Sequence, residues 1–435
     1  MLLQILKNWA WLRRSQWLNE EQLMMIQTRK LKEIIGHAYE NTSFYNSLYK
    51  KAGVRPETIN SIESIRKVPI ITKEQIRNVP LQERTAKGID VSSCITKTTS
   101  GSTGIPVTIL EDPYSTAYLE GLYLRRIWSY GGRPWHRVVR MVVSPEDREI
   151  PQSPANKHGL WSLIRDRKVA DHYLSVDIQQ HIRFFLEWKP DIIVAPPSYF
   201  RALVQHLNQQ GLFLGLRLAL TWGEILDDST RRLIGNSLET EVFDGYGCTE
   251  VAPLGGLAWE CPTHYGYHIN MDSVVLEILR DGEYVAPGES GTVYATSLFR
   301  RATPMIRYFL GDMVTPISDN CPCGRGLPLL KNIQGRVVDF IVTKEGHYIS
   351  PHAIMFALQD VEGVARYKVT QRSDYSIELL VKTSEGGQES VLAILSSLCK
   401  ELFDNLQVDI QVVDRIEAVK GAKFRVVESH VPKTT

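Results

Sequence analysis

Residues 241–250 have the sequence Glu-Val-Phe-Asp-Gly-Tyr-Gly-Cys-Thr-Glu, a short apolar run that leads directly into two glycines and an acid. Three earlier apolar runs, at 138–143, 192–195 and 218–221, are separated from this one and from each other by longer helix-like segments. Short apolar strands that alternate with helices are typical of a parallel sheet with crossover helices. We therefore predict an α/β region, with Glu250 beyond the carboxyl end of a strand, where such folds form ligand sites.

The pattern changes on both sides of this α/β region. Residues 20–51 have apolar side chains at helical spacing. Two strand-like runs joined across turn residues at 274–296 predict a β-rich subdomain. After residue 335 the pattern changes again, and strand-like runs are interspersed with helix-like segments. The sequence therefore predicts a large domain over 1–335 and a small α+β domain over 336–435.

The composition excludes several classes of partner. The 435 residues include 50 Lys and Arg against 49 Asp and Glu, so no excess of positive charge would draw the chain to nucleic acid or to an anionic membrane. No uncharged stretch approaches the roughly 18 residues that a membrane span needs. We predict a cytoplasmic protein. The alternative is that the apolar residues between 2 and 12 form one face of a membrane-surface helix instead of packing on the core.

The loop at 98–107, Thr-Thr-Ser-Gly-Ser-Thr-Gly-Ile-Pro-Val, is the strongest local signal for a phosphate site. Gly101 and Gly104 allow the backbone to approach a phosphate closely. Further hydroxyl and amide donors come from Thr99, Ser100, Ser102 and Thr103. No Lys-Ser/Thr pair follows the second glycine, so the loop is not the common P-loop. The alternative is a polar surface turn.

Two acids stand at positions that a nucleotide would use. Glu250 follows the glycine-rich loop at 244–247, and a carboxylate there suits Mg²⁺ bound to nucleotide phosphates. Asp312 ends the element Arg307-Tyr-Phe-Leu-Gly-Asp, and a carboxylate can accept both hydroxyls of a ribose. Taken singly, either residue would be interpreted as a surface acid. They indicate a nucleotide site only through their order along the chain.

That order is the one found in the adenylate-forming enzymes. The Ser/Thr/Gly loop, Tyr246-Gly-Cys-Thr-Glu, Tyr-x-x-Gly-Asp, Gly335-Arg-x-x-Asp339 and a terminal Gly-x-Lys follow one another as in that superfamily. From about residue 34 to 427 the chain resembles its phenylacetate-CoA ligase branch, which includes CapK-like and coenzyme F390 synthetase-like members. The resemblance implies an adenylation domain with a mobile C-terminal lid. It also implies that ATP and Mg²⁺ activate a carboxylic acid, possibly an aryl acid, as an acyl-adenylate, and that coenzyme A then takes the acyl group.

The resemblance further implies roles for individual residues. Lys423 would be the catalytic lysine, with Lys420 as the alternative because the lysine of the family usually follows its glycine directly. Glu250 would hold Mg²⁺, with Thr249 beside it. The nucleotide would be held at its phosphates by Thr99, Ser100, Gly101, Ser102, Thr103 and Gly104, at its adenine by Gly223, Glu224, Asp244, Gly245 and Tyr246, and at its ribose by Asp312. Arg336 would contact the ribose or a phosphate. The acid would contact Tyr199, Trp222 and Gly247. Val338 precedes Asp339 where the family often has a second acid, so the thiol step departs from the family pattern.

A separate group of residues predicts a structural metal. Cys321-Pro-Cys323 places two thiols in one turn, and Cys261 and His268 lie close together earlier in the chain. Three thiols and one histidine would complete a tetrahedral Zn²⁺ site, and four protein ligands would make it structural rather than catalytic. His264 is an alternative fourth ligand. The alternative to a metal is a set of reduced, unliganded thiols.

Two other functions stay open at this point. The acyl-adenylate would go to an amine, a hydroxyl or a carrier thiol if the chain served polysaccharide or natural-product biosynthesis. A non-catalytic nucleotide-binding protein is expected to lack the lysine or the magnesium acid, and both Lys423 and Glu250 are present. A homodimer is expected because similar proteins commonly form one.

Overall fold

The structure is a computed structural model that describes residues 1–98, 107–141, 166–169, 178–336, 339–345, 347–358, 361–383, 388–403, 406–416 and 425–431. Helices and β-sheets are mixed along the whole of these ranges, which confirms the α/β class. Within them, no helix is both long and apolar enough to cross a membrane.

The chain begins with a helical segment. Its helices are α1 (Leu2–Ser15), α2 (Glu20–Asn41), α3 (Ser43–Lys51), α4 (Lys73–Arg77) and α5 (Leu81–Arg84). Asn19 starts α2 with a capping box, since its side chain accepts from the Gln22 backbone while the Gln22 side chain accepts from the Asn19 backbone. A two-stranded sheet of β1 (Ile95–Thr98) and β2 (Thr108–Glu111) and the helix α6 (Pro113–Ser129) follow.

Helix α6 is held to the rest of the large domain by an ion pair in its last turns. Arg125 Nη1 lies 2.6 Å from Asp272 Oδ2, and neither side chain is exposed to solvent. The same guanidinium also donates to the Leu12 carbonyl and to the Asn270 side chain. Every charge of this buried pair is therefore compensated, as burial of an ion pair requires.

Parallel strands form the centre of the large domain. The strands are β3 (Val138–Met141), β4 (Asp166–Val169), β5 (Ile192–Val194), β6 (Leu218–Leu220) and β7 (Glu241–Phe243), in the order β4-β3-β5-β6-β7. Helices α7 (Ile178–Trp188), α8 (Pro197–Gln209) and α9 (Asp228–Leu238) accompany them. Four of the five strands begin where the apolar runs of the sequence predicted them, and all pair in parallel as expected for crossover connections.

An eight-stranded antiparallel sheet follows directly. Its strands are β8 (Gly245–Tyr246), β9 (Ala258–Glu260), β10 (Tyr267–Ile269), β11 (Val274–Arg280), β12 (Glu283–Tyr284), β13 (Gly291–Ser297), β14 (Tyr308–Ile317) and β15 (Leu329–Arg336). Their order is β12-β11-β13-β14-β15-β10-β9-β8. The hairpin that the sequence predicts at 274–296 is the pair β11 and β13, with the short β12 on the outer edge.

The rest of the described chain is built around a separate apolar core. It contains β16 (Ile341–Val342), β17 (Tyr348–Ile349), α10 (Pro351–Leu358), β18 (Val364–Gln371), β19 (Ile377–Thr383), α11 (Gln388–Leu402), β20 (Val408–Val412) and β21 (Val427–Ser429). Four of these strands form a sheet in the order β20-β19-β18-β21. Residues of α10 and α11 pack on it in one cluster. The boundary at 335/336 stays a prediction.

Candidate active site

Glu250 lies at the end of a buried loop just beyond β8. Glu250 is 8% exposed, and the Tyr308 hydroxyl on β14 donates a hydrogen bond to Glu250 Oε1 at 3.2 Å. Burial, and then the negative charge of Glu250, raise the pKa of Tyr308 well above its ordinary value, so the phenol keeps its proton and acts as the donor. The structure therefore holds this carboxylate in one orientation at the mouth of the loop.

Asp312 and Arg336 face each other across the neighbouring strands β14 and β15. They are register partners, and Arg336 Nε lies 3.5 Å from Asp312 Oδ1. Tyr246 donates to the other oxygen, Asp312 Oδ2, at 2.8 Å. Burial lowers the pKa of Arg336, but the carboxylates of Asp312, Asp339 and Glu250 outweigh it and raise that pKa overall. Tyr246, Glu250, Asp312 and Arg336 thus form one charged group, called the nucleotide group below.

Lys73 is a cation near this group that sequence reasoning missed. It is the first residue of α4, and the preceding Ile71 forms a parallel bridge with Tyr308. That bridge has two backbone hydrogen bonds, from Ile71 N to Arg307 O at 3.1 Å and from Phe309 N to Ile71 O at 2.9 Å. Burial lowers the pKa of Lys73, Glu250 raises it and Arg336 lowers it further, for a net decrease. The one available signal was the Thr72-Lys73 start of a capped helix after Pro69.

The residues predicted to contact adenine lie at the ends of the parallel strands. Glu224 accepts two hydrogen bonds from Ser198, from the backbone N to Oε2 at 3.0 Å and from Oγ to Oε1 at 2.9 Å. Asp244 is 5% exposed and accepts from Thr221 Oγ1 at 2.6 Å and from Tyr267 OH at 3.1 Å. Burial raises the pKa of Asp244. Gly223, at φ 79°, directly precedes Glu224, and Gly245 directly follows Asp244.

Thr249 and Gly247 belong to the loop that ends at Glu250. Arg300 donates from Nη2 to the Thr249 carbonyl at 3.0 Å and from Nε to the Val251 carbonyl at 2.8 Å, so a buried arginine holds the loop from beneath. A Cβ at Gly247 would come within 2.5 Å of the Ala252 carbonyl oxygen, and therefore only glycine fits there.

The two aromatic residues predicted to line the acid pocket have different surroundings. Tyr199 packs inside the core of the five-stranded sheet, where its hydroxyl lies 3.1 Å from His181 Nδ1. Trp222 is partly buried and packs against a second cluster that includes Phe243 and Trp259. A role for either side chain in binding the acid stays a prediction.

The thiol cluster, Cys261, His268, Cys321 and Cys323, is assembled as the sequence predicts. One ligand atom from each residue lies within 4.8 Å of all the others. Cys261 Sγ is 3.3 Å from Cys321 Sγ, and His268 Nε2 is 3.2 Å from Cys323 Sγ. His264 points elsewhere, since its ring stacks on Phe243 and its Nδ1 lies 2.9 Å from Glu260 Oε1. Three sulfurs and one imidazole around a common point are the donor set that Zn²⁺ prefers.

Two predicted parts of the site lie outside the described residues. These are the phosphate loop residues Thr99, Ser100, Gly101, Ser102, Thr103 and Gly104, and both candidate lysines, Lys420 and Lys423. The described neighbours of the lysines show what adjoins them. Arg425 forms an ion pair with Asp339, three residues after Arg336. Arg425, the first described residue after the candidate lysines, is therefore tied to the segment just after β15.

Comparison with known proteins agrees with this geometry. The sequence model of the AMP-binding enzyme family matches residues 170–299. The phenylacetate-coenzyme A ligase of Thermus thermophilus is 24% identical over 91% of this chain and 93% of its own length. The Escherichia coli enzyme of the same name is 26% identical over 74% of this chain and 73% of its own. The chain is therefore similar to the AMP-binding enzymes and, among curated proteins, to phenylacetate-coenzyme A ligases.

Solved structures share the fold at lower identity. A 2-hydroxyisobutyryl-CoA ligase in its postadenylation state superposes with a TM-score of 0.81 at 20% identity, over 97% of this chain and 92% of that one. The same ligase in its thioesterification state, with adenylate and CoA, gives 0.67. An anthranilate CoA ligase with anthranoyl-AMP gives 0.57 at 16% identity over 84% of this chain and 75% of that one. These likenesses show that the chain shares the fold of these ligases.

Proposed function

We propose that the protein uses ATP and Mg²⁺ to join a carboxylic acid to coenzyme A through an acyl-adenylate. The observation that carries the proposal is the nucleotide group, in which Glu250 from the loop after β8 lies with Asp312 of β14 and Arg336 of β15. The curated phenylacetate-coenzyme A ligases support both halves of the reaction.

Each part of the nucleotide has a proposed partner. Glu250, with Thr249 beside it, would hold Mg²⁺, which would offset the negative charge of the phosphates. Asp312 accepts from the ribose hydroxyls, and Arg336 stays close enough to pair with the ribose or a phosphate. Gly223, Glu224, Asp244, Gly245 and Tyr246 form the adenine wall. The loop from Thr99 to Gly104 binds the β- and γ-phosphates, and the acid lies toward Gly247, Tyr199 and Trp222.

The first step is an in-line displacement at the α-phosphorus of ATP. A carboxylate oxygen of the acid forms a bond to that phosphorus while the bond to the bridging oxygen breaks, and pyrophosphate leaves with the electron pair. Two anions must approach each other, so positive charge near the α-phosphate lowers the barrier. Lys423 would supply it from the small domain, and Lys73 adds a cation fixed to the large domain. Glu250 would hold Mg²⁺, which would supply further positive charge. No protein nucleophile is needed.

The second step transfers the acyl group to a thiol. The sulfur of coenzyme A bonds to the acyl carbon, the bond from that carbon to the adenylate oxygen breaks, AMP leaves, and the thiol proton goes to solvent. Lys423 has no use in this step, so a rotation of the small domain about the segment after Arg336 would remove it and admit the thiol. The ion pair between Arg425 and Asp339 supports this pivot, because it joins the lysine segment to the hinge.

Pyrophosphate release tests the proposal. Wild-type protein, ATP and Mg²⁺ are assayed with a panel of aryl and aliphatic acids, with and without coenzyme A, beside Lys423→Ala and a control, Lys400→Ala, at an exposed position on α11. We expect release that depends on one class of acid, falls sharply in Lys423→Ala alone, and yields a thioester when coenzyme A is present.

Three outcomes would contradict it in different ways. Release without thioester, combined with amide or ester formation, would remove coenzyme A as the acceptor. Normal release in Lys423→Ala together with loss in Lys420→Ala would assign the lysine to the other position. AMP binding without release for any acid would favour a non-catalytic protein.

We also propose that the thiol cluster holds one structural Zn²⁺. His268 Nδ1 faces the Leu327 carbonyl at 3.4 Å, which leaves Nε2 for the metal, as orienting partners of histidine ligands commonly do. All four ligands come from the protein, so no position is left for substrate. Metal analysis of purified protein should find about one zinc per chain. Protein that contains no zinc and unfolds at the same temperature with or without chelator would remove this part of the proposal.

We place the reaction in the cytoplasm, because reduced thiols such as the six free cysteines persist in that compartment and ATP and coenzyme A are available there. A homodimer stays a prediction, and light scattering at several protein concentrations tests it.

A further inference from the structure

We propose that Arg126 selects the substrate, and that the acid activated by this protein carries a second carboxylate at the end away from the one that reacts. The inference rests on the proposed function and narrows its substrate class. It starts from a buried guanidinium that the rest of the described structure leaves without an acceptor.

Arg126 lies near the end of α6 and is 2% exposed. Its Nε, Nη1 and Nη2 atoms are all buried and have no hydrogen-bond partner within the described residues. A guanidinium keeps its charge at any physiological pH and presents five N–H donors. Burying such a group without an acceptor is strongly unfavourable, so an acceptor that comes with a ligand is the natural explanation.

The neighbouring residue shows what a structural arginine looks like in the same place. Arg125 is equally buried, but its guanidinium is paired with Asp272 and donates to Asn270 and to the Leu12 carbonyl. The charge of Arg125 is paired with a protein carboxylate, and only its Nε has no hydrogen-bond partner within the described residues. None of the three guanidinium nitrogens of Arg126 has one.

The Arg126 side chain points at the loop that carries the site. A Cβ added to Gly245 or to Gly255 would overlap the guanidinium, so both positions must be glycine for it to fit. Gly245 directly precedes Tyr246 of the nucleotide group, and Gly255 follows Glu250 by five residues. The guanidinium therefore lies against the loop that holds Gly247, the glycine predicted to contact the acid.

Nearby acids do not compensate Arg126, because other donors occupy them. Asp244 accepts from Thr221 and Tyr267. Glu260 pairs with Arg231 at 3.0 Å and accepts from the Asp244 backbone at 2.8 Å. Tyr130, one turn after Arg126, donates its hydroxyl proton to the Glu260 carbonyl.

A carboxylate is the group that fits these donors best. Its two oxygens accept two parallel hydrogen bonds from the planar guanidinium and cancel its charge. The acid would then be held at both ends, with one carboxylate at the α-phosphate and the other at Arg126. An acid without the second charge would leave the arginine buried and unpaired, and sites of that kind reject the analogue that lacks the partner group.

The test compares matched acids in the full-length protein. Phenylacetate is paired with 4-carboxyphenylacetate, and hexanoate with adipate, in the pyrophosphate assay. Wild type should show a kcat/KM at least about tenfold higher for the dicarboxylic member of the better pair. Arg126→Met should reverse that preference, whereas Arg125→Lys, the matched control, should keep it.

Thermal unfolding supplies a readout that a structural role would not produce. Without ligand, Arg126→Met should unfold at the same or a higher temperature than wild type, because it removes an uncompensated buried charge. The dicarboxylic acid with AMP should raise the unfolding temperature of wild type more than that of Arg126→Met.

The results separate this inference from the proposed function. If wild type activates the monocarboxylic members as well as or better than their partners, Arg126 does not select the acid, while the ligase reaction stands. If Arg126→Met destabilises the ligand-free protein and leaves the ratio unchanged, the arginine is structural and the inference fails. If no acid in the panel releases pyrophosphate from wild type, the proposed function fails and the inference fails with it.

Discussion

The nucleotide group and the thiol cluster lie on the same eight-stranded sheet, yet they are built in opposite ways. In the thiol cluster, three cysteine side chains and one histidine side chain converge on one point, and three of the four residues are buried. The nucleotide group brings together two acids and an arginine whose side chain is 46% exposed, and Tyr246 and Tyr308 fix only part of each carboxylate. The side chains of the thiol cluster are therefore directed at one another inside the protein. The nucleotide group keeps charged atoms available to a ligand.

The largest effect is expected from neutralising the open site. Glu250→Gln keeps the size of the side chain and removes the charge that would hold Mg²⁺, so kcat for pyrophosphate release should fall about a hundredfold or more. Tyr308 can still hydrogen-bond to the amide oxygen, and the unfolding temperature should change little. If the variant lost activity only because it unfolded, Glu250 would be a structural residue. The nucleotide group and the thiol cluster would then not differ in the way described.

The closed site should show the reverse behaviour. His268→Ala should lose the bound zinc and unfold at a lower temperature. Its kcat should be nearly unchanged at low temperature, because four protein ligands leave no position for substrate on the metal. His264→Ala is the matched control and should keep the metal, since its imidazole lies against Glu260 and Phe243. Metal analysis and thermal unfolding measure both variants. Equal zinc content in the two variants would mean that His268 is not the ligand that distinguishes them, and would contradict the proposed zinc site.

Lys73 sharpens the comparison, because it adds a cation to the open site from a distant part of the sequence. Lys73→Ala should lower kcat/KM about tenfold, the usual loss for one charge-assisted contact. Its pKa is lowered by burial, so its charge disappears at a lower pH than that of an ordinary lysine. The activity that depends on Lys73 is present below this lowered pKa and is lost as pH rises through it.

The pH profile distinguishes this role from simple packing. Lys73→Arg should move the alkaline limb of kcat/KM to higher pH, because a guanidinium keeps its proton. The same limb in wild type and Lys73→Arg would exclude Lys73 as its source.

The smallest effect is expected from Tyr308→Phe. The change removes one hydrogen bond to Glu250 and leaves the ring in the core, which corresponds to about 1 kcal/mol and to a roughly fivefold lower kcat. A magnesium titration should show a weaker dependence on Mg²⁺ in this variant. An unchanged magnesium requirement would mean that Glu250 needs no orientation from Tyr308.

The parts that sequence reasoning found are those whose residues are close together in the chain. The order of β7, the glycine loop and Glu250 is continuous in sequence, and Asp312 follows a glycine within one strand. The pattern of apolar runs likewise predicted the parallel strands. In the thiol cluster, Cys321 and Cys323 are local, and the pairing of β10 with β15 then decides that His268 and not His264 completes the set.

What sequence reasoning missed depends on long-range contacts. Lys73 reaches the site only because Ile71 pairs with Tyr308, 237 residues later in the chain. Arg126 is one of two adjacent arginines on a helix, and nothing in their spacing shows that Asp272 compensates the first and leaves the second. The surroundings of Tyr199 also depend on such a contact, since its hydroxyl lies 3.1 Å from Nδ1 of His181 on α7, and its role in binding the acid stays a prediction.

The register of β14 against β15 has a consequence for the order in which products leave. Asp312 and Arg336 are opposite each other at the ends of these strands, directly before the predicted start of the lid. In the proposed reaction, a turn of the lid about this point would withdraw the counter-charge of Arg336 from Asp312, the acid proposed to bind the ribose. Release of AMP and return of the lid would then occur together. The rate of turnover would be set by release of AMP, the last product, and not by release of pyrophosphate, the first.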